Sequence, residues 1–136
     1  MTTLFFEHGV AYEEHKEWTA EDASGIEKAV AQAKDVDYII ACVGENSYAE
    51  TTGNISDLNL SSNQKLLVKR LQETGKPVIL ILNEGRPRLI HDLVDGCKAI
   101  VNIMLPGNYG GDALADLLSG DENFSGRLPF YISFTP

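Results

Sequence analysis

Val36-Asp-Tyr-Ile-Ile-Ala-Cys-Val43 is the stretch on which the fold turns. Apart from Asp37 it is a continuous apolar run of strand length, the pattern of a strand covered on both faces of a parallel sheet. Just upstream, Ile26, Ala29, Val30 and Ala33 recur at the i, i+3, i+4, i+7 spacing of one buried helix face. Thr19, with Asp22 three residues on, reads as the cap of that helix, which runs to about Lys34. Downstream, Gly44 to Leu60 is long, polar and without period. The fold thus alternates around this strand.

The same alternation continues along the chain. Ser61 or Ser62 caps a helix over Asn63 to Glu73, ended by Gly75, and Val78 to Asn83 is a second apolar strand. Arg88 to Asp95 suggests a further helix closed by Gly96, and Ala99 to Leu105 a third core strand. Tyr109 to Leu118 gives a fourth helix, stopped by Gly120. Thr3 to Glu7 reads as a short strand at one end, and Leu128 to Phe134 as an edge strand at the other. Such an order implies an α/β fold: a three-layer α/β/α sandwich with a mostly parallel sheet of about five strands. Ligands of these sheets sit beyond the strands' carboxyl ends. Gly44 to Leu60, Glu84 to Arg88 and Pro106 to Gly111 occupy that edge.

Composition narrows the function classes. The 136 residues fit one compact domain. A net charge of -9, from 20 acidic and 11 basic residues, disfavours nucleic acid, anionic membranes and polyanionic substrates. A neutral substrate such as a sugar is compatible with it. No apolar run approaches the roughly 20 residues of a membrane span. Cys42 and Cys97 lack CxxC spacing, so a bridge between them stays open. His8, His15 and His91 are isolated, which argues against a metal site, and Ser47, Ser56 and Ser125 sit in no GxSxG elbow. Pro106 to Gly111 lacks both the lysine of a phosphate loop and GxGxxG spacing, so its glycines read as turn and packing residues, and no cofactor is expected.

The segment GENSYAETTGNISDLNL, 44–60, is the candidate site. It is longer than the usual strand-to-helix connection of about two to six residues. It carries Glu45, Glu50 and Asp57, with Tyr48 between the first two. A carboxyl that donates a proton near neutrality needs burial or a neighbouring negative charge. Spacing alone favours reading these acids as solvent-exposed groups or as caps of the helix that begins near Ser62. Arg86 has two readings as well: hydrogen bonds to sugar hydroxyls, or a bidentate hold on a loop carboxylate. Trp18 reads as a loop anchor ahead of a sugar-stacking platform.

Four ordered blocks then carry a resemblance: AVAQAKDVDYIIACVGENSYAETTGNISDLNLSSNQ, TGKPVILILNEGRPRLI, AIVNIMLPGNYGGDALADLLSGD and SGRLPFYI. Together they resemble the second, α/β-sandwich domain of glycoside hydrolase family 3, the β-glucosidase family. Residues 19–136 are the domain on this reading, and residues 1–18, a partial strand and loop, resemble it only loosely. The resemblance implies a retaining exo-glycosidase acting on a β-linked glucoside or oligosaccharide. Its nucleophilic aspartate lies on a (β/α)8-type barrel domain, which is missing here, and its general acid/base glutamate on a loop of the α/β domain.

In plant-type members the loop motif is close to GExxYxExxGD, whose second glutamate falls on Glu50. In other branches the first glutamate takes the role, which corresponds to Glu45. The final GD is Gly53-Asn54 here, a departure that Asp57 offsets in charge. The chain is therefore expected to be a fragment, inactive alone, whose parent's compartment stays open, the periplasm and the exterior included. The competing reading is a non-catalytic carbohydrate- or partner-binding α/β domain; a flavodoxin-like nucleotide binder is disfavoured by the absent phosphate loop.

Overall fold

The computed structural model describes residues 3–128. Three parallel strands form the central sheet: β3 (Ile39–Gly44), β4 (Val78–Asn83) and β5 (Ala99–Asn102), in the order β3-β4-β5. The register pairs Ile39 with Val78 through Gly44 with Asn83, and Ile79 with Ala99 through Leu82 with Asn102. A two-stranded antiparallel ribbon precedes it, β1 (Ala11–Tyr12) with β2 (Glu21–Asp22). The helices are α1 (Ile26–Ala33), α2 (Ser62–Gln72) and α3 (Gly110–Ser119). The α/β class and the parallel sheet are those expected. The parallel sheet has three strands among the described residues rather than about five, and the two ribbon strands, which were not expected, stand apart from it.

Strand pleating assigns the core. Ile39, Ala41 and Val43 of β3 and Val78, Leu80 and Leu82 of β4 share one face, and all are buried. That face meets Val30 and Ala33 of α1 and Leu67, Val68 and Leu71 of α2 in one apolar cluster. Deeply buried side chains of this size are each worth about 1.5–3 kcal/mol. The helix α2 starts where its cap dictates, since the Ser61 hydroxyl accepts the Gln64 N–H at 3.2 Å. On the other face Ile81 is buried, but Ile40 is 46% exposed and Cys42 is also exposed. The run 36–43 is thus not covered on both faces, and β3 is in addition an edge strand of the three. Cys42 and Cys97 are free thiols.

Three expected elements differ. Thr19 does not open a helix. Ala20 accepts the Glu13 N–H at 2.9 Å, Glu21 and Asp22 pair with Tyr12 and Ala11, and the helix begins only at Ile26. Arg88 to Asp95 is turns rather than a helix, with only a short 3-10 turn at Val94–Gly96. There Leu89 donates its N–H to Leu58 at 2.8 Å and bridges Asn59, an extended commitment that excludes helix. Thr3 to Glu7 pairs with no strand among the described residues, and Leu4, Phe5 and Phe6 are exposed. The proposed strand from Leu128 to Phe134 lies, beyond Leu128, outside the described residues.

Candidate active site

Glu45 follows β3 directly and enters the carboxyl edge of the sheet, its N–H bonded to the Asn83 carbonyl at 2.9 Å. Its side chain is 1% exposed. Oε1 accepts from Arg86 Nε and Nη2 at 3.1 and 2.8 Å, and from Arg88 Nε and Nη2 at 3.0 and 2.5 Å. Oε2 accepts the Gly85 N–H at 2.9 Å and the Tyr48 hydroxyl at 3.3 Å. Burial alone would raise this carboxyl's pKa, but the bonds from Arg86, Arg88 and Gly85 outweigh it and hold the pKa below the ordinary value.

The two arginines carry this hub into the loop. Arg86 Nη1 donates to the Gly53 carbonyl at 2.5 Å, and Arg88 Nη1 to the carbonyls of Asp57 and Asn59, each at 3.2 Å. Arg86 therefore takes the structural of its two readings, gripping a loop carboxylate. Arg88 was missed by sequence reasoning. The available signal was the spacing in Arg86-Pro87-Arg88, since residues two apart in extended chain share a side.

Glu50 stands elsewhere in the same loop. It opens a single 3-10 turn, Glu50–Gly53, and is exposed, while its backbone takes φ 54°. That left-handed conformation costs a non-glycine residue roughly 1–2 kcal/mol. The turn is closed by the Thr52 hydroxyl on the Ala49 carbonyl at 2.6 Å and by the Asn54 N–H on the Thr51 carbonyl at 3.1 Å. Asp57 is engaged locally: one oxygen accepts the backbone and side-chain N–H groups of Asn59 at 2.9 and 2.7 Å, which lower its pKa. The two candidate glutamates thus share an edge but not an environment: one is buried and fully bonded, the other open.

Tyr48 lies between them. The Arg86 guanidinium sits 4.4 Å from its ring centroid, and Trp18 meets the ring at 5.6 Å, tilted by 57°. Two glycines make room for it. A Cβ on Gly53 would fall 2.2 Å from Tyr48 Cδ2, and one on Gly85 would fall 2.4 Å from the Tyr48 hydroxyl oxygen. Trp18 also accepts a bond from Asn46 Nδ2 on its carbonyl at 3.0 Å, so it serves as a loop anchor. The ribbon carrying Trp18 is tied down by Gln64: its Oε1 accepts the Gly44 N–H at 2.7 Å, and its Nε2 donates to Glu21 at 2.7 Å and to Tyr12 at 2.9 Å. Ribbon and loop enclose a cleft of about 330 Å³, lined by Tyr12, Trp18, Glu21, Asn54, Asp57 and Arg88 among others.

Glu84 is a second group that sequence reasoning passed over. It follows β4, is fully buried, and accepts on Oε1 from the Arg88 N–H and Asn102 Nδ2, each at 3.2 Å. Its Oε2 has no partner among the described residues. Burial raises its pKa, with the Glu45 charge adding to the effect. Nothing in its spacing marked it out; only its place at the end of the most buried strand did. Among the described residues no group of three or more His, Cys, Asp or Glu side chains is arranged to hold a metal. No helix among them is long and apolar enough to cross a membrane.

The family model for the glycosyl hydrolase family 3 C-terminal domain matches residues 6–135. The chain is 46% identical over 107 residues to a lysosomal beta glucosidase of Dictyostelium discoideum, covering 78% of this chain and 13% of that protein. It is 38% identical over 110 residues to a periplasmic beta-glucosidase of Salmonella typhimurium, covering 80% and 14%. A beta-glucosidase structure from Listeria innocua, in complex with isofagomine, superposes with a TM-score of 0.68 at 29% identity, over 79% of this chain and 15% of that one. The chain therefore spans about one-seventh of these relatives. It belongs to glycosyl hydrolase family 3, as a C-terminal domain of that family.

Proposed function

We propose that this chain supplies the general acid/base glutamate, Glu50, and part of the sugar site to a retaining β-glucosidase-type exo-glycosidase. The nucleophile and the rest of the site would come from a barrel domain. The observation that supports this most is the contrast between the glutamates. Glu45 has both oxygens engaged and is held ionised, so it suits an anchor that fixes the loop. Glu50 is exposed at the sheet's carboxyl edge on a strained backbone, the kind of local cost that persists where a side chain must be presented, and a barrel domain closing over the loop would supply the burial that a proton donor needs.

In the reaction so assigned, Glu50 as the carboxylic acid protonates the glycosidic oxygen while a barrel carboxylate attacks the anomeric carbon. Glu50 as the carboxylate then takes a proton from the water that releases the sugar. Retention needs the two carboxyls about 5 Å apart across that carbon. A β-linked glucoside or oligosaccharide fits this assignment, and the -9 charge of the chain suits a neutral substrate. The test mixes the chain with a family barrel domain and assays an aryl β-glucoside. Hydrolysis should require both parts and fall with Glu50→Gln. Hydrolysis by the chain alone that survives Glu50→Gln and Glu45→Gln would overturn the assignment.

A further inference from the structure

We infer that Tyr48 is the positioning residue that sets the Glu50 turn, an inference that rests on the assignment of Glu50 as proton donor. Tyr48 lies two residues before Glu50, with Ala49 between them in extended conformation, φ -137° and ψ 137°. Its ring meets the other end of the same turn, because Gly53 lies so close that even a Cβ would overlap Cδ2. The ring thus fills the base of the loop that Glu50 crowns. It is held from outside by the Arg86 guanidinium at 4.4 Å and by Trp18, and its hydroxyl reaches Glu45. Arg86 closes the same loop by donating to the Gly53 carbonyl. None of these contacts belongs to the apolar core between the sheet and helices α1 and α2. Tyr48 therefore shapes the loop without carrying the fold.

The ring is the part that matters. Tyr48→Phe keeps the filling and the cation contact and gives up only a 3.3 Å hydroxyl bond. Tyr48→Ala empties the space beneath Gly53, letting the turn settle inward and moving the Glu50 carboxyl. A misplacement of about 1 Å at a reacting group is worth on the order of 10²-fold in rate. In the reconstituted enzyme, Tyr48→Ala should lower kcat by about that factor with KM changed less than about threefold, and Tyr48→Phe should stay within about threefold of the parent. Tyr48→Phe as damaging as Tyr48→Ala, or Tyr48→Ala with the parent's kcat, would overturn the inference.

The isolated chain separates this inference from the donor assignment. Hydrogen exchange over residues 49–54 needs no barrel: Tyr48→Ala should accelerate it while β4 stays protected, and Tyr48→Phe should not. Unchanged exchange in Tyr48→Ala sinks the positioning role whatever Glu50 does. Retained turnover in Glu50→Gln sinks the donor assignment whatever the exchange shows. Gly53→Ala adds an internal check. It should speed exchange in the parent, where its Cβ strikes the ring, and do nothing further in Tyr48→Ala.

Discussion

Glu45→Gln isolates the anchor from the rest of the site. The substitution keeps the volume and removes the charge, leaving Arg86 and Arg88 facing a neutral amide. One of the two oxygens becomes an NH2, so a donor must point either at the guanidinium groups or at the Gly85 N–H. Removing one partner of a buried ion pair costs about 3–5 kcal/mol. The low end applies, since the Arg86 and Arg88 side chains keep 27% and 10% exposure and recover some hydration. With an unfolding entropy of about 2 cal/mol/K per residue, a loss of about 3 kcal/mol over 136 residues is a fall of about 10 °C in Tm.

The pH dependence carries the sign. A carboxylate whose folded pKa is depressed stabilises the fold fully above its unfolded value, about 4.3. That stabilisation disappears as pH falls through the lower folded value. The gap between parent and Glu45→Gln should therefore be constant above about pH 5 and close in stronger acid. Thermal unfolding followed by circular dichroism from pH 3 to 8 measures it. A Tm loss under about 2 °C at pH 7, or a gap that persists unchanged to pH 3, would refute the reasoning.

Three further outcomes are expected. Glu84→Gln should match the parent in acid and exceed it in stability at higher pH, because a raised carboxyl pKa makes the parent lose stability as pH rises from about 4.3 through the folded value; urea midpoints that show the reverse slope would contradict this. Glu50→Gly should relieve the φ 54° backbone and leave Tm unchanged or higher by a few degrees, while removing the reconstituted activity on substrates whose leaving oxygen needs a proton. The exposed Leu4, Phe5, Phe6, Tyr38 and Ile40 form an apolar surface beside the open edge of β3, so light scattering should show concentration-dependent self-association that Ile40→Lys weakens.

The strands were legible where burial leaves a composition signal. Val78 to Asn83 was read to the residue, because Val78 to Leu82 form an unbroken apolar run in the central strand and only the terminal Asn83 is polar and exposed. The helix after Ser61 was legible because its cap is a local hydrogen bond. Thr19 to Asp22 and Arg88 to Asp95 were misread for the opposite reason. Their conformations are set by pairing partners outside the segments: Ala11 and Tyr12, a short way upstream, for the first, and the distant Leu58 and Asn59 for the second. Among the candidate site residues, the motif brought out Glu45 and Glu50 together. What distinguishes them is the placement of Arg86 and Arg88 from a different strand's loop, which spacing within residues 44–60 does not encode. Glu84 was hidden similarly, since its burial is a property of the packed sheet.

The division of labour between the glutamates is tested most directly by leaving-group dependence in the reconstituted enzyme. With Glu50→Gly, kcat/KM should collapse for an alkyl β-glucoside, whose leaving oxygen needs a proton, and be largely retained for a dinitrophenyl β-glucoside, which needs none; azide should restore turnover by replacing the activated water. Equal losses on both substrates with no azide rescue in Glu50→Gly, together with that selective pattern in Glu45→Gly, would contradict the account and move the proton donor to Glu45.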